Sequence, residues 1–282
     1  METGETPLER IRLDLAYDGT GFTGWARQPG LRTVQGVLED ALATVFRRQG
    51  DPPRLVVAGR TDVGVHATGQ VAHVDLTPEQ FAHLANAGQL AKRVNGIAGL
   101  SSDVRVRRAA IAPPGFDARF GALWRRYEYR IADHPDAQDP RRRSHTLWHP
   151  APLDEQAMHD AAQSLLGLHD FAAFCRPREG ATTIRTLQAF EWSRDADGVL
   201  VARLQADAFC HSMVRALVGA CVGAASEARA ILDAAVRTSA FKVMPAKGLT
   251  LVEVGYPPDA ELAARAEQTR GKRSLPDRAP ID

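Results

Sequence analysis

Residues 59–75 read Gly-Arg-Thr-Asp-Val-Gly-Val-His-Ala-Thr-Gly-Gln-Val-Ala-His-Val-Asp, and they place one acidic side chain, Asp62, in a turn flanked by glycines. A β-branched run precedes this turn at 55–58 and an alternating run follows it at 70–75, so both flanks are predicted strands. Reactive side chains are often carried on loops that a rigid sheet holds in place. The pattern makes Asp62 a candidate nucleophile, although an isolated Thr-Asp-Val-Gly string would more simply be a turn whose Asp bonds its own backbone.

Hydrophobic periodicity on both sides of this turn predicts two copies of one arrangement. In the first half the order is β-α-β-β-α-β, with strands at 11–18, 55–58, 70–75 and 104–111 and helices at 34–48 and 78–94. The second half repeats this order, with strands at 123–131, 183–192, 199–207 and 249–254, helices at 153–166 and 211–225, and an extra helix at 227–236. Two copies of this split βαβ motif predict an α+β protein with mainly antiparallel sheets and a cleft where the halves meet.

The predicted boundary between the halves lies at Pro113-Pro114-Gly115. We therefore expect an N-terminal α+β half at 9–114, which carries Asp62, and a C-terminal α+β half at 115–257. The remaining segment, 258–282, mixes prolines with charged residues and is predicted to be a mobile tail that contains a short helix.

Composition limits the kinds of partner. The chain of 282 residues carries 35 Lys and Arg against 34 Asp and Glu, a net charge of +1, so it does not resemble a globally basic nucleic-acid-binding protein. Any RNA site must then be a local patch. Arginine clusters at 105–108, 125–130 and 141–143 are candidates, although each alone is more simply a solvated face. No apolar run approaches the length of a membrane span, which predicts no membrane association.

The cysteines and histidines argue against a metal site. Cys175, Cys210 and Cys221 are odd in number and far apart, without a Cys-x-x-Cys pair or a recognisable secretory leader, so reduced thiols in the cytoplasm are expected. His145 and His149 lie close together, but no acidic or Cys partner completes a ligand set. We predict no metal and, because the sequence has no dinucleotide fingerprint or phosphate-binding loop, no small-molecule cofactor.

The string at 59–66, followed by Gly69-Gln70-Val71, resembles the catalytic motif of the tRNA pseudouridine synthase A family. Further segments recur in the order that the family has them, so the resemblance covers roughly residues 11–257: these segments are 17–28, 33–39, 116–122, 126–129, 170–171, 209–215 and 248–251. Two departures concern local RNA contacts and leave Asp62 untouched. Asp117 stands where the family usually has His, and residues 96–100 replace a shorter Leu-Pro connection.

The resemblance implies a pseudouridine synthase fold, with two ferredoxin-like βαββαβ halves and a catalytic cleft between them. It also implies an isomerase that converts uridine to pseudouridine at positions 38–40 in the anticodon stem-loop of tRNA, and that acts as a homodimer. This reaction breaks the bond from ribose C1′ to base N1 and forms a bond from C1′ to C5. Because no atom is gained or lost, the reaction requires no redox cofactor.

By resemblance, Asp62 is the catalytic residue and three further residues bind the substrate or hold the carboxylate. Arg215 lies beside the catalytic carboxylate, Tyr127 rather than Tyr129 stacks on the target uracil, and Arg60 helps to keep the target nucleotide out of its stack. Base extrusion is needed because a duplex hides the glycosidic bond. The residues alone leave three roles open for Asp62: addition to uracil C6, attack on ribose C1′, or removal of a ribose proton.

Other functions fit the residues less well. A non-catalytic RNA-binding module would stack bases on its sheets, but aromatic residues make up only 6% of the chain and no RNP1-type string occurs. A hydrolase with Asp62 as nucleophile would need metal-binding acids or a second carboxylate nearby, and the sequence shows none. A pseudouridine synthase for another RNA is the nearer alternative, and the Tyr17-Asp18-Gly19 and Gly24-Trp25 segments favour the tRNA type.

Overall fold

The structure is a computed structural model that describes residues 8–176, 180 and 182–270. The described chain divides into two units. Unit 1 contains the residues up to Leu123 together with Leu251–Thr269, and unit 2 contains Trp124–Thr250 and, among the described residues, Arg270.

Unit 1 is built on antiparallel strands. Its elements up to the division are β1 (Glu9–Tyr17), α1 (Val34–Val45), β2 (Leu55–Val57), β3 (His66–Leu76), α2 (Pro78–Ala82), α3 (Ala87–Ala98) and β4 (Val104–Ile111). β1 lies between β3 and β4 and is antiparallel to both, while β2 pairs antiparallel with β3. Along β1, Ile11, Leu13 and Leu15 are buried, whereas Arg10 and Arg12 lie half-exposed on the other face. One face of this sheet is therefore core, as the alternation predicts.

The helix predicted at 78–94 is two helices, α2 and α3. Ala85 between them has a φ of 63°, which a continuous right-handed helix cannot contain. Asn86 then caps α3, because its side chain accepts a hydrogen bond from Gln89 N–H at 3.2 Å. Local capping by Asn86 thus outweighs the helix propensity of the surrounding residues.

Unit 2 carries a second antiparallel arrangement. Its elements are β5 (Trp124–Ala132), β6 (Leu147–Trp148), α4 (Glu155–Ser164), β7 (Gly167–Asp170), β8 (Ile184–Arg194), β9 (Leu200–Ala206), α5 (Met213–Gly223) and α6 (Ala228–Ala234). The strand order is β5-β9-β8-β7 with antiparallel pairs, and the short β6 runs parallel to β5. α4 packs against β8, α5 and α6. The predicted α+β class with mainly antiparallel sheets is confirmed.

The division between the units falls after Leu123, later than the boundary expected at 114–115. Residues that follow Gly115 are bound to unit 1: Ala118 N–H donates to His73 Nδ1 of β3 at 3.0 Å. The chain also returns to unit 1 near its end, because residues 251–255 of β10 (Leu249–Gly255) lie beside β3. A Cβ at position 69 of β3 would lie 2.1 Å from the Val252 carbonyl oxygen, so this close approach requires glycine.

Part of the segment predicted as a tail forms a helix, α7 (Leu262–Thr269). Leu262 and Ala266 are buried, and Arg265 Nη2 donates to the Ala122 carbonyl oxygen at 3.3 Å. This helix is therefore packed onto unit 1 by its apolar side. Residues 271–282 of the predicted tail lie outside the described residues.

The expectation of three reduced thiols is wrong for Cys175 and Cys210, which form a disulfide with Cα atoms 5.7 Å apart. Their segments are brought together by the fold, since Arg176 N–H donates to His211 O at 3.0 Å. Cys221 is a free thiol, and burial raises its pKa to about 12. Within the described ranges, no helix is long and apolar enough to cross a membrane, and no group of three or more His, Cys, Asp or Glu is placed to hold a metal ion.

Candidate active site

Asp62 lies in the loop between β2 and β3, in a closed turn. Val65 N–H donates to the Asp62 carbonyl oxygen at 3.2 Å, and Gly64 has a φ of 77°, which residues with a side chain rarely adopt. Before the turn, Ala58 N–H donates to Val71 O at 2.9 Å, which joins the loop to β3. The Asp62 side chain is half-buried. The turn therefore presents a carboxylate from a backbone that the sheet holds at both ends.

The segment after β1 packs against this turn. Trp25 N–H donates to the Thr61 carbonyl oxygen at 3.0 Å, and Gly64 N–H donates to the Phe22 carbonyl oxygen at 3.4 Å. Trp25 is only 1% exposed, so this contact belongs to the core of unit 1. Two segments that carry the family resemblance, 17–28 and 59–66, thus meet in space although they are far apart in sequence.

His66, at the start of β3, is a structural residue of the same turn. It is 4% exposed, and its Nδ1 accepts a hydrogen bond from Gly19 N–H at 3.1 Å. The same nitrogen lies 3.1 Å from Asp18 Oδ1. The imidazole therefore ties the segment after β1 to the beginning of β3 and is enclosed on that side, which does not suit a general base that must reach substrate.

Two buried polar side chains for which no role was predicted, Tyr17 and Gln70, lie beneath the turn. Tyr17 Oη is 2.9 Å from Thr61 Oγ1, and Gln70 Nε2 donates to Gly59 O at 2.8 Å. Burial raises the pKa of Tyr17 to about 12, so the phenol stays protonated. Gln70 shares one face of β3 with Ala72, Val74 and Leu76. A Gln on such an apolar face was the available signal, because its side chain needs hydrogen-bond partners when it is buried.

Tyr127 and Tyr129 are buried on the same face of β5, as the alternation predicts. Tyr129 Oη donates to Pro245 O at 2.7 Å, and burial raises the pKa of this phenol. The Tyr127 ring instead meets the Phe209 ring edge-on, with ring centres 5.1 Å apart. The two tyrosines thus differ in environment, and Tyr129 is anchored as a core residue.

Arg215 lies in the first turn of α5 and is half-buried. Its Nη2 donates to Ser212 Oγ at 3.0 Å, and its Nη1 donates to Met244 O at 3.3 Å. Met244 N–H in turn donates to Arg215 O at 3.1 Å. The guanidinium is therefore oriented by its own helix start and by the segment before β10.

The four predicted site residues are divided between the units. Asp62 and Arg60 share one turn in unit 1, where the Arg60 side chain is exposed. Tyr127 and Arg215 belong to unit 2. The approach of one pair to the other stays a prediction that rests on the resemblance.

The arginine clusters differ in whether acidic side chains pair with them. Arg141 forms an ion pair with Asp139 at 2.7 Å, and Arg142 forms one with Asp197. On β4 the arginines within 105–108 are exposed, and Arg105 and Arg107 donate to the uncharged Gly99 and Thr68 carbonyl oxygens at 3.4 and 3.1 Å. The β4 cluster is therefore the better candidate for contacts with phosphates.

Comparison with known proteins gives one family. A family model described as tRNA pseudouridine synthase matches residues 161–257. Relatives named tRNA pseudouridine synthase A cover nearly the whole chain. The one from Leifsonia xyli subsp. xyli is 63% identical over 282 residues, with 94% of this chain and 98% of the relative covered. Those from Frankia casuarinae and Streptomyces griseus subsp. griseus are 59% and 54% identical, with 95% and 98% of this chain and 97% and 98% of the relatives covered.

Identity at this level over nearly the full length defines the class of protein: the enzyme is a pseudouridine synthase, and pseudouridine synthases are isomerases. More narrowly, the chain belongs to the tRNA pseudouridine synthase A family. The sequence-based predictions of the family, the fold class and a tRNA-modifying isomerase are confirmed.

Proposed function

We propose that this enzyme acts on uridines 38–40 in the anticodon stem-loop of tRNA and that Asp62 is its catalytic carboxylate. The observation that carries the proposal is the turn itself, in which the half-buried Asp62 lies between Thr61 and Gly64, both hydrogen-bonded to the segment after β1. A carboxylate held in this way suits a reaction in which the uracil must detach, rotate and reattach within one site.

The reaction balances without a co-reactant. The C1′–N1 bond breaks and the C1′–C5 bond forms, while the proton at C5 leaves and N1 gains a proton. A carboxylate can hold the separated fragments whether it engages uracil C6, ribose C1′ or a ribose proton. Asp62 therefore suits the step under each of the three roles that the sequence leaves open.

The other site residues receive distinct roles in the proposal. Arg60, exposed beside Asp62, keeps the target nucleotide out of its stack. Arg215 holds the Asp62 carboxylate with its guanidinium, which stays charged when buried. Tyr127 stacks on the target uracil, and its hydroxyl helps to remove the C5 proton. The choice of Tyr127 over Tyr129 is supported by the Tyr129 hydroxyl, which is already bound to Pro245 O.

The family and the surface of unit 1 support tRNA as the partner of this enzyme. The exposed arginines of β4 would bind phosphates of the tRNA. A local patch of this kind is needed because the net charge of the chain is only +1. A homodimer in which one tRNA reaches across both subunits is proposed from the resemblance alone. The cytoplasm is proposed as the location because the substrate is tRNA.

Tritium release tests the proposed function. The protein alone, without added metal or nucleotide, should release tritium from tRNA labelled at uridine C5, because C5 becomes the glycosidic carbon and must lose its hydrogen. Labelled tRNA with cytidine at positions 38–40 is the control and should keep its label. Retention of tritium by wild-type tRNA whose stem-loop uridines remain intact would contradict the function. Release from other positions would make this enzyme a synthase with a different set of targets.

Tyr127→Phe should slow single-turnover tritium release by about 100-fold while tRNA binding is kept, because the ring remains and the hydroxyl is lost. Tyr127→Leu should also weaken binding, since stacking of a base on an aromatic ring contributes roughly 1–3 kcal/mol. Tyr129→Phe is the matched control: it loses the bond to Pro245 O, which lowers stability by about 1 kcal/mol, and keeps the rate. Wild-type activity in both Tyr127 variants would leave Tyr127 as a core residue only.

A further inference from the structure

A chain of buried side-chain hydrogen bonds runs from the middle of β3 to the residue before Asp62. Gln70 Nε2 donates to Gly59 O at 2.8 Å and to Tyr17 Oη at 3.1 Å. Tyr17 Oη in turn lies 2.9 Å from Thr61 Oγ1. Gln70, Tyr17 and Thr61 are 0%, 5% and 6% exposed, so bulk water does not compete for these bonds.

The orientation of the Gln70 amide follows from the chemistry of its partners. The Gly59 carbonyl can only accept, so the Gln70 side chain turns its NH₂ group toward it and toward Tyr17. Gln70 Oε1 accepts from Val71 N–H at 3.2 Å, which fixes the other end of the amide. Tyr17 Oη accepts from Gln70 Nε2, and Tyr17 Oη and Thr61 Oγ1 share a further hydrogen bond.

These bonds hold the backbone on both sides of Arg60 and directly before Asp62. Gly59 is held through its carbonyl oxygen, and Thr61 is held through its hydroxyl. The Thr61 carbonyl oxygen is held separately by Trp25 N–H at 3.0 Å. The peptide that carries the Asp62 side chain consequently has little freedom to shift.

We propose that Gln70 and Tyr17 are positioning residues for Asp62, acting through Gly59 and Thr61 rather than by contact with the substrate. This inference rests on the proposed catalytic role of Asp62. A small displacement of a reacting group lowers a rate steeply, and a shift of about 1 Å can lower it by roughly 100-fold. The network therefore serves the rate of the chemical step, in addition to the stability that any buried hydrogen bond provides.

Tyr17→Phe and Gln70→Met test the inference against a matched control, Tyr256→Phe. Tyr256 lies in the same unit, and its hydroxyl donates to Ala118 O at 2.7 Å, so the control also loses a tyrosine hydrogen bond. The full-length protein is measured for single-turnover tritium release at saturating tRNA, for the Kd of tRNA, and for Tm. We expect the rate to fall roughly 10- to 100-fold in both network variants with an unchanged Kd. Tyr256→Phe should lower Tm comparably and keep the wild-type rate.

A double variant adds a second test of the rate, which would not change if the network served stability alone. Tyr17→Phe and Thr61→Val remove the two sides of one hydrogen bond, so the combined variant should be no slower than the slower single variant. If Gln70→Met does not fold, Tyr17→Phe decides the question, because it removes a single oxygen atom.

The outcomes separate this inference from the proposed function. If Asp62→Asn is inactive but Tyr17→Phe and Gln70→Met release tritium at the wild-type rate, the positioning role is rejected and the role of Asp62 stands. A rate that falls equally in Tyr256→Phe would also reject the positioning role, since general destabilisation would then explain the loss. If Asp62→Asn is active, the proposed function of Asp62 fails, and the positioning inference fails with it.

Discussion

Asp62→Asn is expected to abolish measurable tritium release while the fold and tRNA binding are kept. The amide has nearly the shape of the carboxylate but cannot act as a nucleophile or as a base. The hydrogen bonds that close the turn come from the backbone of Thr61, Gly64 and Val65, which the substitution does not alter. The free energy of unfolding should therefore change by no more than about 1 kcal/mol.

Asp40→Asn provides the control for this prediction. Asp40 is an exposed carboxylate on α1 of unit 1 that pairs with Arg27 at 2.8 Å, so its replacement removes one negative charge from this unit and leaves the Asp62 side chain unchanged. We expect the control to turn over at the wild-type rate. Turnover of Asp62→Asn within about tenfold of wild type, a difference of only ~1.4 kcal/mol, would remove Asp62 from the catalytic role.

The strands were the most predictable part of the fold, because apolar and polar residues alternate along a strand that has one buried face and one exposed face. β4 begins and ends at the predicted residues 104 and 111. β6 and β7, with 2 and 4 residues, are too short for such alternation to be recognised. The break at Ala85 escaped prediction because an apolar helical period continued across it, and only the capping by Asn86 revealed where a new helix starts.

The assignment of segments to units was less predictable, since it depends on contacts between distant residues. A repeat of β-α-β-β-α-β places the strand at 249–254 in the second half, whereas residues 251–255 belong to unit 1 beside β3. The disulfide between Cys175 and Cys210 is a similar case, because its partners are 35 residues apart. Local sequence patterns carry no record of such pairs.

The turn at Asp62 could be predicted from its glycines and its flanking strands, but the network beneath it could not. Tyr17 and Thr61 are 44 residues apart, and Tyr17 and Gln70 are 53 apart. The choice between Tyr127 and Tyr129 is another limit, because a period of two places both on one face. Contacts between distant residues distinguish their environments, because Tyr129 Oη donates to Pro245 O and the Tyr127 ring meets the Phe209 ring.

Arg215→Lys is expected to lower the single-turnover rate by about 1000-fold although the charge is retained. The guanidinium donates to Ser212 Oγ at 3.0 Å and to Met244 O at 3.3 Å, and its planar shape fixes the direction of all its N–H groups, as a two-point hold on a carboxylate requires. A lysine ammonium presents all its donors from one nitrogen, so it cannot bind the Ser212 and Met244 oxygens and a carboxylate at the same time. The loss of two hydrogen bonds to or from a charged group, at ~2 kcal/mol each, corresponds to this change in rate.

Arg229→Lys is the matched control, because Arg229 is an exposed helical arginine of unit 2 that pairs with Asp233 at 3.0 Å. It should change neither the rate nor the Kd for tRNA. Since Arg215 also contacts Ser212 and Met244, Tm is measured for both variants and the rates are compared well below the lower Tm. A folded Arg215→Lys protein that releases tritium as fast as Arg229→Lys would show that position 215 needs only a positive charge, and the two-point hold on Asp62 would have to be abandoned.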